Sequence, residues 1–141
     1  MPKSYISPNV KQFVIGRSSG YCEYCKCPAD FSTELFSIEH ILPRSKQGLD
    51  TTDNLAYACS GCNIFKSNKT VFLDTISQEL HPLFHPRTMI WHDHFIWDDT
   101  LTLMIGKTAI GRATIEALKL NRRPIKNLRR ALIAIHEHPP T

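Results

Sequence analysis

Four cysteines stand in two Cys-x-x-Cys pairs, Cys22/Cys25 and Cys59/Cys62. Paired thiolates at this spacing, repeated once along a chain, are typical of a tetrahedral zinc site with four sulfur ligands. Such a site leaves no open position for catalysis, so we predict a structural zinc ion. A redox dithiol would need a thioredoxin-like pattern, which is absent, and unrelated buried thiols would show no repeated spacing. The fifth cysteine, Cys27, is interpreted as a bystander.

Polar side chains suited to chemistry lie between and just after the cysteine pairs. They are Glu39, His40, Arg44, Asn54, Asn63 and Lys66. Taken singly, each has an ordinary explanation as a surface acid, a satisfied histidine, a turn-forming amide or a helix cap. Their joint placement between the zinc ligands favours a second, working site that the zinc holds in shape.

The order of these residues resembles the HNH endonuclease family in its zinc-flanked form. The matching stretches are Glu39-His40-Ile41-x-Pro43, Asp53-Asn54-Leu55, Cys59-x-x-Cys62-Asn63 and Lys66. The stretch Leu83-Phe84-His85-Pro86-Arg87 and residues 111–114 resemble, more loosely, the tails of small bacterial HNH proteins. The resemblance implies the ββα-metal fold, in which two strands and a helix surround one divalent ion.

The resemblance also implies a role for each matching residue. His40 would be the general base, Glu39 and Asn63 would ligate the catalytic ion, Asn54 would brace the loop, and Lys66 would contact a phosphate. The expected products carry a 5′-phosphate and a 3′-hydroxyl. The chemistry agrees, because oxygen ligands suit Mg²⁺ or Mn²⁺ and a histidine is a fitting base near neutral pH.

One geometric condition follows for Glu39 and His40. Neighbouring residues on a regular strand point to opposite faces of the sheet. Both side chains can therefore serve one site only if they lie at the end of their strand, and Pro43 close by favours that position.

The sequence around the candidate site predicts strands over residues 35–41 and 54–58 and a helix over residues 60–66. An N-terminal helix is expected from Ser7-Pro8, ending before Gly20, because serine caps helices and proline suits the first turn. Residues 72–80 read weakly as another short helix. Four histidines at positions 81, 85, 92 and 94 have no supporting ligand pattern, so no further metal site is predicted there.

The C-terminal part predicts a hairpin over residues 94–106 with a polar turn at Asp98-Asp99. Thr108 should cap a helix over residues 109–120, and Pro124 should start another that continues to about His136. The predicted fold class is α+β, a small ββα-metal motif clamped by zinc, with a terminal hairpin and two helices. We expect a nuclease core over residues 1–80 and a C-terminal extension packed on it over residues 81–141.

Basic residues are concentrated in the last part of the chain. Residues 107–141 carry 8 Lys/Arg against 2 Asp/Glu, whereas residues 1–106 carry 9 against 11. A basic segment on a near-neutral body suits a polyanion, although it is equally consistent with a solvated helix face. The candidate DNA-binding residues are Arg44, Lys66, Arg112, Arg122, Arg123, Arg129 and Arg130.

Composition excludes several other classes of protein. The hydrophobic fraction is 42% and the charged fraction 21%, which fits a folded domain rather than a disordered tail. No apolar run approaches the roughly 20 residues of a membrane helix, and the first residues lead into no apolar signal core, so we expect a cytoplasmic protein. The sequence predicts a metal-dependent DNA endonuclease. The alternatives are a zinc-stabilised nucleic-acid-binding module without cleavage and a dithiol redox protein.

Overall fold

A computed structural model describes residues 6–140 of the chain. The helices are α1 (Pro8–Arg17), α2 (Ser60–Lys66), α3 (Trp91–His94), α4 (Ala109–Leu118) and α5 (Arg123–Ala134), and the strands are β1 (Phe36–His40), β2 (Leu55–Cys59), β3 (Val71–Asp74), β4 (Glu79–Pro82), β5 (Phe95–Trp97) and β6 (Met104–Gly106). Residues 1–5, on which the expectation about a signal segment rests, and residue 141 lie outside the described residues. The α+β class is confirmed.

The centre of the fold is the unit formed by β1, β2 and α2. The two strands pair antiparallel, with Phe36 opposite Cys59 and His40 opposite Leu55. Helix α2 begins directly after β2. The last residue of β2, Cys59, caps the helix, because its side chain accepts the backbone N–H of Cys62. The Glu34 carboxylate accepts the backbone N–H of Gly61 at 2.8 Å and covers a second unpaired donor at this helix start. The predicted order of strand, loop, strand and helix is confirmed.

Residues 71–82 form a hairpin, and the prediction of a short helix over residues 72–80 is wrong. Strands β3 and β4 pair from Val71 opposite Pro82 to Asp74 opposite Glu79. The turn closes because the backbone carbonyl of Asp74 accepts the N–H of Gln78. A short apolar run does not separate strand from helix by its own pattern, and here the pairing partner decides.

The C-terminal elements follow the predicted order. Strands β5 and β6 form the expected hairpin, and the Asp98 carboxylate closes its turn by accepting the backbone N–H of Leu103 at 3.1 Å. Thr108 caps α4, as predicted, by accepting the N–H of Gly111. The short helix α3, immediately before β5, was not anticipated.

A single hydrophobic cluster joins the two predicted parts of the chain. Phe84, Trp91 and Phe95 belong to the same buried cluster as Tyr24 and the zinc-type cysteines. The division at residue 80 stays a prediction, and a boundary there would fall inside β4. Among the described residues, no helix has the length and apolar character needed to cross a membrane.

Candidate functional site

The four paired cysteines meet in the interior. Cys22, Cys25, Cys59 and Cys62 are all buried, and their Sγ atoms lie within 4.8 Å of one another. The Sγ atoms of Cys25 and Cys59 are 3.8 Å apart. A regular tetrahedron with zinc–sulfur bonds of about 2.3 Å has sulfur–sulfur edges of about 3.8 Å, so the cluster fits a zinc ion. Burial raises the pKa of the Cys22 and Cys25 thiols, a cost that a bound dication would offset.

Two arginines, one just before α5 and one within it, donate hydrogen bonds to the cysteines of this cluster. Arg122 donates to Sγ of Cys59 at 3.5 Å and to Sγ of Cys62 at 3.6 Å. Arg129 donates to the carbonyl of Cys25 at 3.4 Å and to that of Leu120 at 2.8 Å. Four thiolates around one zinc ion carry a net negative charge, which the Arg122 guanidinium would balance in part. Sequence reasoning predicted DNA contacts for both arginines. In the structure Arg129 is buried, and Arg122 is half-buried against the cysteine sulfurs.

Glu39 and Lys66 form a buried ion pair between β1 and α2. Their exposures are 4% and 1%, and Nζ lies 2.5 Å from Oε1. The Tyr24 hydroxyl donates to the other carboxylate oxygen at 2.7 Å. Burial raises the pKa of the Glu39 carboxyl above its ordinary value, and Lys66 and Tyr24 oppose that rise. The Lys66 ammonium is enclosed here, so its predicted phosphate contact stays a prediction that would require it to leave Glu39.

Lys66 also links the helix to the end of β1. Its Nζ donates to the carbonyl of Ile41 at 2.8 Å and to that of His40 at 3.3 Å. These bonds place the last residue of α2 beneath the point where the strand ends. The His40 side chain is close enough to lower the pKa of Glu39.

His40 is the last residue of β1, the position that the sequence required. Its Nε2 lies 2.7 Å from Oδ1 of Asp50, and 17% of the side chain is exposed. An Nε2–H that donates to a carboxylate leaves Nδ1 as the proton acceptor of the neutral ring. Asp50 was not among the predicted site residues. In the sequence Asp50 is one acidic residue in a polar loop, and its distance from His40 along the chain gave no reason to select it.

Asn54 holds the loop between β1 and β2. Its Oδ1 accepts the N–H of Leu42 at 2.8 Å, and its Nδ2 donates to the carbonyls of Leu49 and Leu42 at 2.9 Å and 3.1 Å. Three bonds from one amide fix both sides of the loop that carries Asp50. Gly48 lies in the same loop, where an added Cβ would stand 1.7 Å from the carbonyl oxygen of Leu42.

Asn63 faces β1 from the first turns of α2. Its Nδ2 donates to Oγ of Ser37 at 3.2 Å. Ser37 and Glu39 are two positions apart on β1 and share one face of the strand, whereas His40 belongs to the opposite face. The structure therefore brings Asn63 and Glu39 to the layer between β1 and α2, and His40 contacts Asp50 on the other side of the strand end.

The remaining predicted DNA contacts divide into exposed and committed side chains. Arg44, Arg123 and Arg130 are exposed. Arg112 instead makes two bonds to the buried Asp74, from Nε at 2.9 Å and from Nη2 at 3.0 Å. This ion pair attaches α4 to the β3–β4 hairpin, and the predicted contact of Arg112 with DNA stays a prediction.

Two antiparallel strands and a helix form a ββα unit, and a four-thiol cluster that fits zinc joins this unit to the turn that carries Cys22 and Cys25. Residues 22–69 match the family model described as HNH endonuclease. The predicted family resemblance is confirmed. The Type IV methyl-directed restriction enzyme EcoKMcrA of Escherichia coli (strain K12) is 34% identical over 68 residues, which cover 45% of this chain and 24% of that protein. The chain thus matches about a quarter of that relative's length.

Proposed function

We propose that the protein is a metal-dependent DNA endonuclease that hydrolyses phosphodiester bonds. The contact that supports this most directly is between His40 and Asp50, within the segment that matches the HNH family. A carboxylate on Nε2 orients the ring and leaves Nδ1 of the neutral imidazole as the proton acceptor, which is what a general base for water activation requires. Attack of that water on phosphorus would leave a 5′-phosphate and a 3′-hydroxyl.

Glu39 and Asn63 are the proposed ligands of the catalytic ion. Oε1 of Glu39 accepts no hydrogen bond of normal geometry from the described residues, although Lys66 Nζ lies 2.5 Å away. A carboxylate and an amide oxygen are hard ligands that suit Mg²⁺ or Mn²⁺. Such an ion supplies stabilisation of negative charge on the phosphate and on the leaving oxygen. Because Glu39 and His40 lie on opposite faces of β1, binding of this ion beside His40 would require Glu39 to leave Lys66 and turn toward the end of the strand.

DNA would be held first by exposed basic side chains. Arg123 and Arg130 lie on the exposed side of α5, opposite Ile125 and Leu132, which are buried. Arg44 is exposed next to the His40 loop, with Nε 4.0 Å from Asp50 Oδ1. Contacts of this kind release counterions, so DNA affinity should fall steeply with salt. The proposal includes a cytoplasmic setting, where four zinc-binding thiols stay reduced.

Plasmid cleavage tests the proposal. Supercoiled DNA is incubated with Mg²⁺ or Mn²⁺ and wild-type protein, His40→Ala, Asp50→Asn or His136→Asn. His136 is exposed and serves as a matched histidine control. We expect nicked or linear product from wild type and His136→Asn, a loss of about 10²–10⁴-fold for His40→Ala, and a smaller loss for Asp50→Asn. Ligation of the ends without prior kinase treatment reports the 5′-phosphate. Equal rates for wild type and His40→Ala would remove His40 from the mechanism.

The ion pair of Glu39 with Lys66 favours a second candidate, a zinc-stabilised nucleic-acid-binding module without cleavage. In that case Lys66 neutralises the carboxylate permanently. Salt-dependent DNA binding with no cleavage in either divalent ion would support the binding module. Cleavage that requires the ion and Glu39 would exclude it.

A further inference from the structure

A cavity of about 260 Å³ lies beside the zinc turn, away from His40 and its partners. Its walls come from the end of α1, from the turn that carries Cys22 and Cys25, and from α3 and β5. Tyr21, Lys26, Trp91 and Trp97 line it, and none of the lining side chains is acidic. The volume is just below the range of roughly 300–1,000 Å³ typical of ligand sites, which suits one small flat ligand rather than an extended one.

The walls of this cavity present aromatic planes that are held in place. The ring centroids of Trp91 and Trp97 are 5.4 Å apart with an interplanar angle of 38°. Trp91 Nε1 donates to the carbonyl of Tyr24 at 3.5 Å, so its indole is attached to the zinc turn. Trp91 is 7% exposed and the Arg129 guanidinium lies 4.9 Å from the Trp97 ring centroid, so the cavity meets the exposed parts of these fixed rings and not whole free faces. Fixed aromatic surfaces next to a cavity can stack on single nucleobases, because every base has a π-face.

Among the described residues that line the cavity, Lys26 is the only lysine or arginine. Its Nζ lies 5.6 Å from the centroid of the Trp91 ring. No carboxylate pairs with this ammonium among the described residues. The backbone N–H of Lys26 is bonded to the carbonyl of Cys22, and its φ of 65° belongs to the tight zinc turn. The zinc turn therefore sets the position of a cation at the edge of an aromatic cavity.

We propose that this cavity binds a nucleoside monophosphate unit, with the base against the aromatic walls and the phosphate at Lys26. We assign this nucleotide to an unpaired position of a DNA strand. That assignment rests on the proposed nuclease function. The charge, the aromatic walls and the volume each fit a single nucleotide. A purely structural role for Lys26, as a cover over Trp91, would explain the cation–π contact but would give no nucleotide affinity.

Intrinsic fluorescence tests the binding directly, because Trp91 and Trp97 are the only two tryptophans of the chain. The full-length His40→Ala protein is titrated with dAMP, deoxyadenosine or inorganic phosphate without chelator or Mg²⁺. We expect saturable quenching by dAMP and about tenfold weaker binding of deoxyadenosine. Lys26→Gln should weaken dAMP about tenfold and leave deoxyadenosine unchanged, because only the phosphate contact is lost.

Lys119→Gln is the matched control, since Lys119 is exposed and also has a positive φ, 52°. It should bind dAMP like the parent protein, and circular dichroism should show the same fold for both lysine variants. Quenching that does not saturate, or dAMP affinity that is equal with and without the Lys26 ammonium, would overturn the nucleotide site.

The source of the nucleotide is distinguished with DNA carrying 2-aminopurine. We expect His40→Ala to bind a duplex with a single-base 2-aminopurine bulge more tightly than the fully paired duplex. Lys26→Gln in the same background should remove this difference. Equal affinity of both duplexes, together with saturable dAMP binding, would assign the site to free nucleotides and overturn the DNA source. Because His40→Ala is used throughout, a failure of cleavage by the wild-type protein leaves these binding results intact.

Discussion

The Lys66 ammonium and the Glu39 carboxylate form the one buried ion pair that joins α2 to β1 within the described residues. Both charges leave water when the chain folds, and each is the main compensation for the other. The same ammonium binds the carbonyls of His40 and Ile41, so the pair also fixes the end of the strand that carries the candidate base.

Lys66→Met should destabilise the protein by about 3–5 kcal/mol, because it leaves a buried carboxylate without its partner. Urea denaturation of the zinc-loaded protein at neutral pH measures the change. Lys69→Met removes a lysine whose Nζ donates to the exposed carbonyl of Phe65, and it should cost less than about 1 kcal/mol. Replacing Glu39 by Gln in the Lys66→Met background should recover part of the loss. Equal effects of the two lysine variants would refute a stabilising pair.

Gly48→Ala should disturb the His40 loop, because the new Cβ would lie 1.7 Å from the carbonyl oxygen of Leu42 and 2.9 Å from Nδ2 of Asn54. We expect a lower melting temperature and at least a tenfold lower cleavage rate, since Asn54 and Asp50 must move with the loop. Gly16→Ala, in α1, meets nothing within 4 Å and should be neutral or stabilising by up to about 1 kcal/mol. Thermal melts and plasmid nicking of the two variants make the comparison. Unchanged cleavage by Gly48→Ala would mean that the loop adapts without cost to the site.

Cys59→Ser should lose zinc and fold together, because zinc binding contributes directly to folding free energy in such sites. Metal analysis is expected to give one zinc per chain for wild type and none for this variant. Cys27→Ser is the matched control. Cys27 is buried, but its Sγ faces the carbonyl of Pro28 and is not part of the four-sulfur cluster. A zinc-free Cys59→Ser protein that melted like wild type would show that the metal is dispensable for the fold.

Asp74 predicts part of the acid sensitivity. Two bonds from Arg112 hold the pKa of Asp74 well below its usual range. A depressed folded-state pKa stabilises above the unfolded value near 3.9, and the stabilisation is lost as pH falls toward the folded value. The stability gap between wild type and Asp74→Asn should therefore be largest near neutral pH and shrink below about pH 4. Urea titrations at several pH values measure the difference in unfolding free energy between the two proteins. The contribution of zinc is common to both and cancels in that difference. A gap that is constant with pH would contradict the linkage.

Local signals in the sequence were enough to predict the centre of the fold. Helix α2 has the predicted bounds, Ser60–Lys66, and Thr108 caps α4 as expected. Cysteine spacing predicted the four-sulfur cluster, because two Cys-x-x-Cys turns have few other geometric uses. The position of His40 at a strand end followed from the alternation of side chains and from Pro43.

The misses concern contacts between residues that are distant in sequence. Strands β3 and β4 depend on pairing with each other and on α4, and neither partner is visible in the local pattern. The sequence pattern of a basic residue is the same whether its side chain is solvated or enclosed. It therefore could not show that Lys66 and Arg129 are buried or that Arg122 donates to the cysteine sulfurs. Asp50 became part of the candidate site only because the loop held by Asn54 places it against His40.

The position of Arg129 limits how far the HNH segment can be separated from the rest of the chain. Its side chain is 4% exposed and ties the carbonyl of Thr102 to those of Cys25 and Leu120. A minimal nuclease cut after α2 would lose this guanidinium and the Arg122 charge on the thiolates. We therefore expect the segment that carries the family signature to need α5 as well when it is transplanted into another scaffold.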